Sequence, residues 1–249
     1  MCLVAIAWQA DPRHPLVIAG NRDEFHARPA AAAGWWNEPG GVLGGRDLVA
    51  GGSWLAIGRS GRCAVIVNDP RRPPDPARTG SRGHLVRDYV AGTEPAGRYL
   101  DAVSVDAERY AGFCLVVGTP VQLRVLRSPR GNHRARWTLP RGVSVIGNSP
   151  PEAPAPKVPY LRDAVAGVLA SGADPEALLD VLAHRGPVGA DDGSGHPTGL
   201  TPFIVGAEYG TRASTVITID TQGTCTFVER RFGPDGRPAG IVREQFTLG

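Results

Sequence analysis

The stretch that decides the reading is Gly20-Asn21-Arg22-Asp23-Glu24-Phe25, which directly follows the apolar run Leu16-Val17-Ile18-Ala19. Apolar and β-branched residues of this length, opened by Pro15, predict a strand over Pro15–Ala19. Four consecutive polar residues then need either water or a polar pocket. If the segment stays extended, Asn21 and Asp23 share one side while Arg22 and Glu24 share the other. A turn after Gly20 would gather more of them together. Asp23 would suit an amine and Arg22 a carbonyl, a carboxylate or a thiolate. The plainer alternative is a solvated turn with a local ion pair, worth ~0–1 kcal/mol.

Upstream, the chain opens on Met1-Cys2-Leu3-Val4-Ala5-Ile6-Ala7-Trp8. A small second residue such as cysteine normally permits removal of the initiator methionine. That would leave a thiol and a free α-amine on one residue. An α-amine titrates near ~7.7–8.0, so part of it is unprotonated near neutrality and can accept the thiol proton. One residue then supplies both nucleophile and base. Taken alone, Cys2 reads rather as the start of a buried strand.

Working outward, short strands punctuated by Gly and Pro are predicted over Cys2–Trp8, Ser53–Ile57, Arg62–Val67, Phe113–Val117, Gln122–Leu126, Val143–Ile146, Ser214–Ile219 and Thr224–Arg230. The alternation in Thr215-Val216-Ile217-Thr218-Ile219 calls for one buried face. Helices concentrate in the middle. Ser81 caps one through Val90, and Thr93 with Pro95 opens a second through about Tyr110. Val158, Leu161, Val165, Val168 and Leu169 form the stripe of a third, and Asp174-Pro175-Glu176 begins a fourth. Strands at both ends with paired helices between them fit an α+β or layered α/β/β/α arrangement. Asp69–Gly80 and Gly186–Pro202 are loop-like. With no repeat and no linker, residues 1–249 read as a single domain.

Composition excludes several functions. Hydrophobic residues make up 42% and charged residues 20%, ordinary for a globular protein. The net charge of +3 is too small to imply nucleic acid. No segment approaches the ~20 apolar residues of a membrane span, and no signal peptide is expected. The four cysteines lack C-x-x-C spacing and read as free thiols in a reducing compartment, which makes the cytoplasm the expected address. Cys63, Cys114 and Cys225 read as core. The histidines show no metal-type spacing, and Asp191-Asp192-Gly193 lacks the other ligands of a calcium loop. Lys157 is the only lysine, and the wealth of Arg, Ala, Gly and Pro is what a high-GC bacterial genome produces.

Several blocks together resemble the NRDE family, also called the transport and Golgi organisation protein two family. They are Met1-Cys2-Leu3, Asn21-Arg22-Asp23-Glu24, Gly51-Gly52-Ser53-Trp54-Leu55, Gly147-Asn148-Ser149-Pro150 with Pro156-Lys157-Val158, Pro197-Thr198-Gly199 and Tyr209-Gly210-Thr211-Arg212-Ala213-Ser214-Thr215. Their order spans nearly the whole chain. One departure is Val67-Asn68-Asp69-Pro70, where the family usually has Thr-Asn-Tyr-Arg. The resemblance implies an N-terminal-nucleophile hydrolase fold, a four-layer α/β/β/α sandwich. It makes Cys2, Arg22, Asp23, Asn68, Asn148 and Arg212 the candidate site residues, with Asn68 and Asn148 as oxyanion donors. It implies a small-molecule amide or ester as substrate, turned over by hydrolysis or acyl transfer without a cofactor. A haem or lipid trafficking protein on the same scaffold is the alternative, and a glutamine amidotransferase-like subunit is a third.

Overall fold

A computed structural model describes residues 3–71, 79–128, 135–186, 188 and 200–249. The chain divides into two compact units, residues 1–27 with 141–246, and residues 28–140 with 247–249. Each is built on one antiparallel sheet. Much of the Asp69–Gly80 and Gly186–Pro202 loops, including Asp191, Asp192 and the Pro197-Thr198-Gly199 block, lies outside the described residues.

The first unit carries a six-stranded sheet in the order β10-β1-β2-β11-β12-β13. Its strands are β1 (Leu3–Trp8), β2 (Leu16–Phe25), β10 (Gly142–Gly147), β11 (Tyr209–Ile219), β12 (Thr224–Phe232) and β13 (Pro238–Thr247). Two helices, α3 (Lys157–Ala170) and α4 (Pro175–Leu182), cover one face. Leu3, Ala5, Ala7, Val17, Ala19, Val216 and Val228 present that face to Leu161, Val165, Leu169, Leu178, Leu179 and Leu182. The alternate residues Val4, Ile6, Ile18, Ile217 and Phe227 are buried as well. A strand whose successive side chains are all buried reads as a continuous apolar run rather than an alternation, as β1 does.

The second unit carries seven strands in simple sequence order, β3 to β9. They are β3 (Ala30–Trp35), β4 (Val42–Asp47), β5 (Leu55–Gly58), β6 (Cys63–Asn68), β7 (Phe113–Thr119), β8 (Gln122–Arg127) and β9 (Ala135–Thr138). Helices α1 (Arg82–Ala91) and α2 (Ala96–Val105) pack on this sheet through Leu85, Val86, Tyr89, Leu100 and Val103. Gly52 meets Gly83 so closely that a Cβ on Gly52 would stand 2.3 Å from the Gly83 carbonyl carbon. The turn before β5 thus abuts the first turn of α1, and only hydrogen fits between them.

The expected helices are all present, with shifted ends. Asp174 caps α4, its carboxylate accepting from the Glu176 and Ala177 amides. Ser81 stands at the start of α1 but makes no side-chain cap bond, and α2 stops at Val105, followed by a single 3-10 turn over Ala107–Arg109. Four strands escape sequence reasoning: β3, β4, β9 and β13. Alanine-rich β3, the Gly44-Gly45 pair in β4 and the short, exposed β9 lack the β-branched signature, and in β13 the Ile241-Val242 pair is followed at once by the polar Arg243-Glu244-Gln245. Cys63, Cys114 and Cys225 are free, buried thiols, as expected. Burial pushes the Cys63 thiol up to about 12, against a small opposing pull from the Arg62 charge.

Candidate active site

The Asn21–Glu24 segment is neither a turn nor a loop: β2 runs straight through it to Phe25. Leu3 of β1 pairs with Asn21, and on its other side with Gly147 of β10. Asn21 in turn pairs with Ser214, and Ser214 with Arg230. One row, Gly147-Leu3-Asn21-Ser214-Arg230, therefore crosses five strands. The next residues outward, Asn148, Arg22, Asp23 and Arg212, come to the same end of the sheet. With strands about 4.8 Å apart, Gly147 and Asn21 are separated by about 10 Å.

Asn21 and Asp23 share one side, as extension requires. Asn21 is fully buried, and its amide nitrogen donates to the carbonyls of Leu182 and Pro202, both at 2.9 Å. Leu182 ends α4, so this bond satisfies one of the carbonyls that a helix leaves orphaned at its C-terminus. The Asn21 carbonyl oxygen accepts from Ser214 Oγ at 2.6 Å. Asp23, 4% exposed, accepts from Thr211 Oγ1 at 2.7 Å. That hydroxyl also accepts from the Ile204 amide at 2.9 Å, which ties the strand to the segment leading into it.

On the other side, Arg22 is 4% exposed and lies 3.9 Å from Glu24. Arg22 is in register with Ala213, and Ala213 with Arg231. The β2–β11 register slips between Thr211 and Ala213, leaving Arg212 as the extra residue of a bulge. Bulges re-aim a side chain, and they recur beside active sites. Arg212 donates from Nη1 to the Phe25 carbonyl at 3.0 Å. Burial, and then the nearby Arg231 charge, push the Arg212 pKa down, while Glu24 pulls the other way. Arg22, Arg212 and Arg231 thus bring strong positive charge to this corner, against Asp23 and Glu24.

Asn148 follows β10 and is half-buried. Its turn is closed by the Ala155 amide donating to Ser149 Oγ at 3.0 Å, and by the Val158 amide donating to the Ala155 carbonyl. Asn68 ends β6 in the second unit, paired with Phe113. Its neighbour Asp69 is engaged by Arg71. Cys2 lies outside the described residues. Among the described residues, no group of three or more His, Cys, Asp or Glu side chains could hold a metal ion.

A profile of the Transport and Golgi organisation 2 family matches residues 1–234. The chain belongs to that family. It is 30% identical to the Mus musculus Transport and Golgi organization 2 homolog, covering 92% of each chain. It is also 30% identical to the Bos taurus homolog, covering 100% of this chain and 99% of the other. Solved structures with the N-terminal-nucleophile hydrolase fold match it at low identity. One is a variant of the conjugated bile acid hydrolase of Clostridium perfringens, at TM-score 0.57 and 9% identity, covering 99% of this chain and 98% of that one. Another is the Caenorhabditis elegans ortholog of N-acylethanolamine-hydrolyzing acid amidase, at TM-score 0.52 and 12% identity, covering 87% and 92%. The fold class is therefore that of the N-terminal-nucleophile hydrolases, as the family resemblance implied.

The family blocks divide into two kinds. Asn21, Asp23, Thr211 and Ser214 form a buried polar cluster, whereas Gly51-Gly52-Ser53 is a packing device. Ser53 Oγ donates to the Gly45 and Leu55 carbonyls, at 2.8 and 3.0 Å, and its amide donates to the Gly83 carbonyl. Sequence reasoning missed Thr211 and Ser214 as partners of Asp23 and Asn21. The available signal was their alternation around Arg212, which a bulge conceals. It also missed that Asn21 holds a helix end.

Proposed function

We propose that the chain is an N-terminal-cysteine hydrolase or acyltransferase acting on a small-molecule amide or ester, with Cys2 as nucleophile after removal of Met1. The observation that carries the reading is the pairing of Leu3 with Asn21, which sets the described start of β1 beside buried Arg22 and Asp23. The shared fold with carbon–nitrogen hydrolases supports the same reading.

In this mechanism the α-amine takes the thiol proton as sulfur bonds to the carbonyl carbon. The carbonyl electrons move to oxygen, which the Asn148 amide stabilises, a role worth ~10²–10³ in rate per donor. Collapse breaks the bond to the leaving group, which receives the proton from the α-ammonium. Water, or a second acceptor, then releases the acyl group from sulfur. Asp23, fixed by Thr211, is assigned to hold the amine, and Arg22 and Arg212 to supply positive charge for an anionic part of substrate or intermediate.

Intact mass of the purified protein should show Met1 absent. Cys2→Ala should abolish turnover across a panel of acyl amides and esters, a loss of ~10³-fold or more. Retained Met1, or turnover unchanged in Cys2→Ala, refutes the reading. The relatives' names support a second reading, a transport role without catalysis. Haem or lipid binding that survives Cys2→Ala, with no turnover in the unaltered protein, favours that one.

A further inference from the structure

The last two strands of the second unit set two like charges close together. On β8, Arg124 lies on the same face as Leu126, which packs with Leu100 and Val103 of α2 in the core. The register with β9 places Thr138 opposite Arg124, and Arg136 opposite Leu126. Directly paired residues share a face. Arg124 and Arg136 are therefore diagonal neighbours on the side that α2 covers, about 7–8 Å apart. Two guanidinium groups so placed repel each other unless anions stand against them.

Helix α2 supplies an anion to one of them and not to the other. Asp101 pairs with Arg136 across the space between helix and strand. One turn earlier on the same helix face, the residue over Arg124 is Gly97. A Cβ on Gly97 would lie 3.8 Å from both the guanidinium carbon and Nε of Arg124, an ordinary contact distance. Gly97 has no positive φ either, so neither space nor backbone calls for glycine there. Glycine also weakens a helix relative to alanine. Among the described residues, Arg124 donates from Nε to the Gln122 side-chain oxygen at 3.2 Å and pairs with no carboxylate.

The space between α2 and the β8–β9 pair is an open groove of about 380 Å³, lined by Gly97, Asp101, Arg124, Arg136, Thr138 and the buried Leu100. That volume lies in the ~300–1,000 Å³ range of small-molecule sites. The side chains named carry two positive charges and one negative. A single further anion over Gly97 would balance them.

We infer that this groove binds a small organic carboxylate, its carboxylate seated over Gly97 against Arg124 and its apolar part against Leu100. The groove itself indicates the class, because the Asp101 carboxylate already takes the corresponding place against Arg136. A planar guanidinium fork also matches a planar carboxylate, with two parallel hydrogen bonds. Asp101 and Arg136 are both exposed, and an exposed ion pair holds only weakly, so Arg136 is free to turn toward the bound acid. The site lies wholly within the second unit and is independent of the Cys2 reading.

The test titrates the full chain with benzoate, and with benzamide as its uncharged counterpart, while NMR follows the arginine Nε–H signals. Benzoate should shift the Arg124 and Arg136 signals along one saturating curve, and benzamide should not. Arg124→Gln, read on the Arg136 signal, should weaken binding about tenfold or more, the scale of a charge-assisted pair. Gly97→Asp supplies the second carboxylate from the helix itself and should abolish saturation. Asp101→Asn releases Arg136 and should tighten binding several-fold. Circular dichroism checks that each variant folds, and Arg124→Gln decides should Gly97→Asp fail to. Equal shifts from benzoate and benzamide overturn the inference, as does a drift of all exposed arginines without saturation. Unchanged affinity in folded Gly97→Asp or Arg124→Gln also overturns it. Inorganic phosphate binding as tightly as benzoate would overturn the carboxylate assignment.

Discussion

The Asn21 cluster of the first unit and the Gly52 contact of the second both come from blocks that mark the family, yet they work by opposite physics. At Asn21, a single amide satisfies two carbonyls and a hydroxyl in a site sealed from water. At Gly52, there is no functional group at all: two backbones touch, and the absence of a side chain is what matters. A recognisable motif therefore says that a position is constrained, and only the surroundings say whether chemistry or space constrains it.

Three experiments probe that contrast. Asn21→Asp should have the largest effect, because it sets a carboxylate against the Leu182 and Pro202 carbonyls in place of two donors. The expected loss is roughly 3–5 kcal/mol, the scale of an uncompensated buried charge. A melting curve close to wild type would mean that the cluster is not the closed network described. Gly52→Ala should cost ~3 kcal/mol, near the upper end for overpacking, since the obstacle is Gly83 backbone rather than a movable side chain. If thermal unfolding shows Gly52→Ala to be neutral, the turn and α1 are not in contact as described.

The smallest effect separates the two regions by pH. Asp47 sits in the turn that holds Gly52, accepting from Arg28 Nε at 2.6 Å and from the Val49 and Ala50 amides. Burial, the largest influence, pushes its pKa up, but the Arg28 hydrogen bond, the Ala50 amide, the Arg28 charge and the Val49 amide outweigh it and hold it below the usual 3.8. A carboxylate with a depressed folded pKa contributes stability that is present above its unfolded value and lost as pH falls through the folded one. Amide exchange at Val49 and Ala50 should therefore accelerate below about pH 4. The Asn21, Ser214, Leu182 and Pro202 bonds involve no titratable group and should hold. Loosening of both regions together would show that acid acts on the whole fold rather than on Asp47.

Much was legible without coordinates. The apolar runs of β1, β6, β7 and β11 announced strands, the Asp174-Pro175 start announced α4, and the strand-like runs around Cys63, Cys114 and Cys225 announced core thiols. The pairing of Asn21 with Asp23 on one side of an extended strand followed from period two alone. Less legible were β3, β4, β9 and β13. Alanine, glycine or charged residues interrupt their apolar pattern, and a neighbouring strand that offers hydrogen bonds draws them into a sheet.

What the residues alone determined was local: periodicity, caps, the polar segment after an apolar strand, and the solitary lysine. These depend on neighbours within a few positions, where backbone geometry is nearly fixed. The tertiary structure decided which distant groups meet. Thr211 reaches Asp23 and Ser214 reaches Asn21 only because β11 lies beside β2, and a one-residue bulge sets Arg212 out of the register that would otherwise govern it. Register between strands far apart in sequence is chosen by the summed burial of whole sheets, so no short window of sequence contains it.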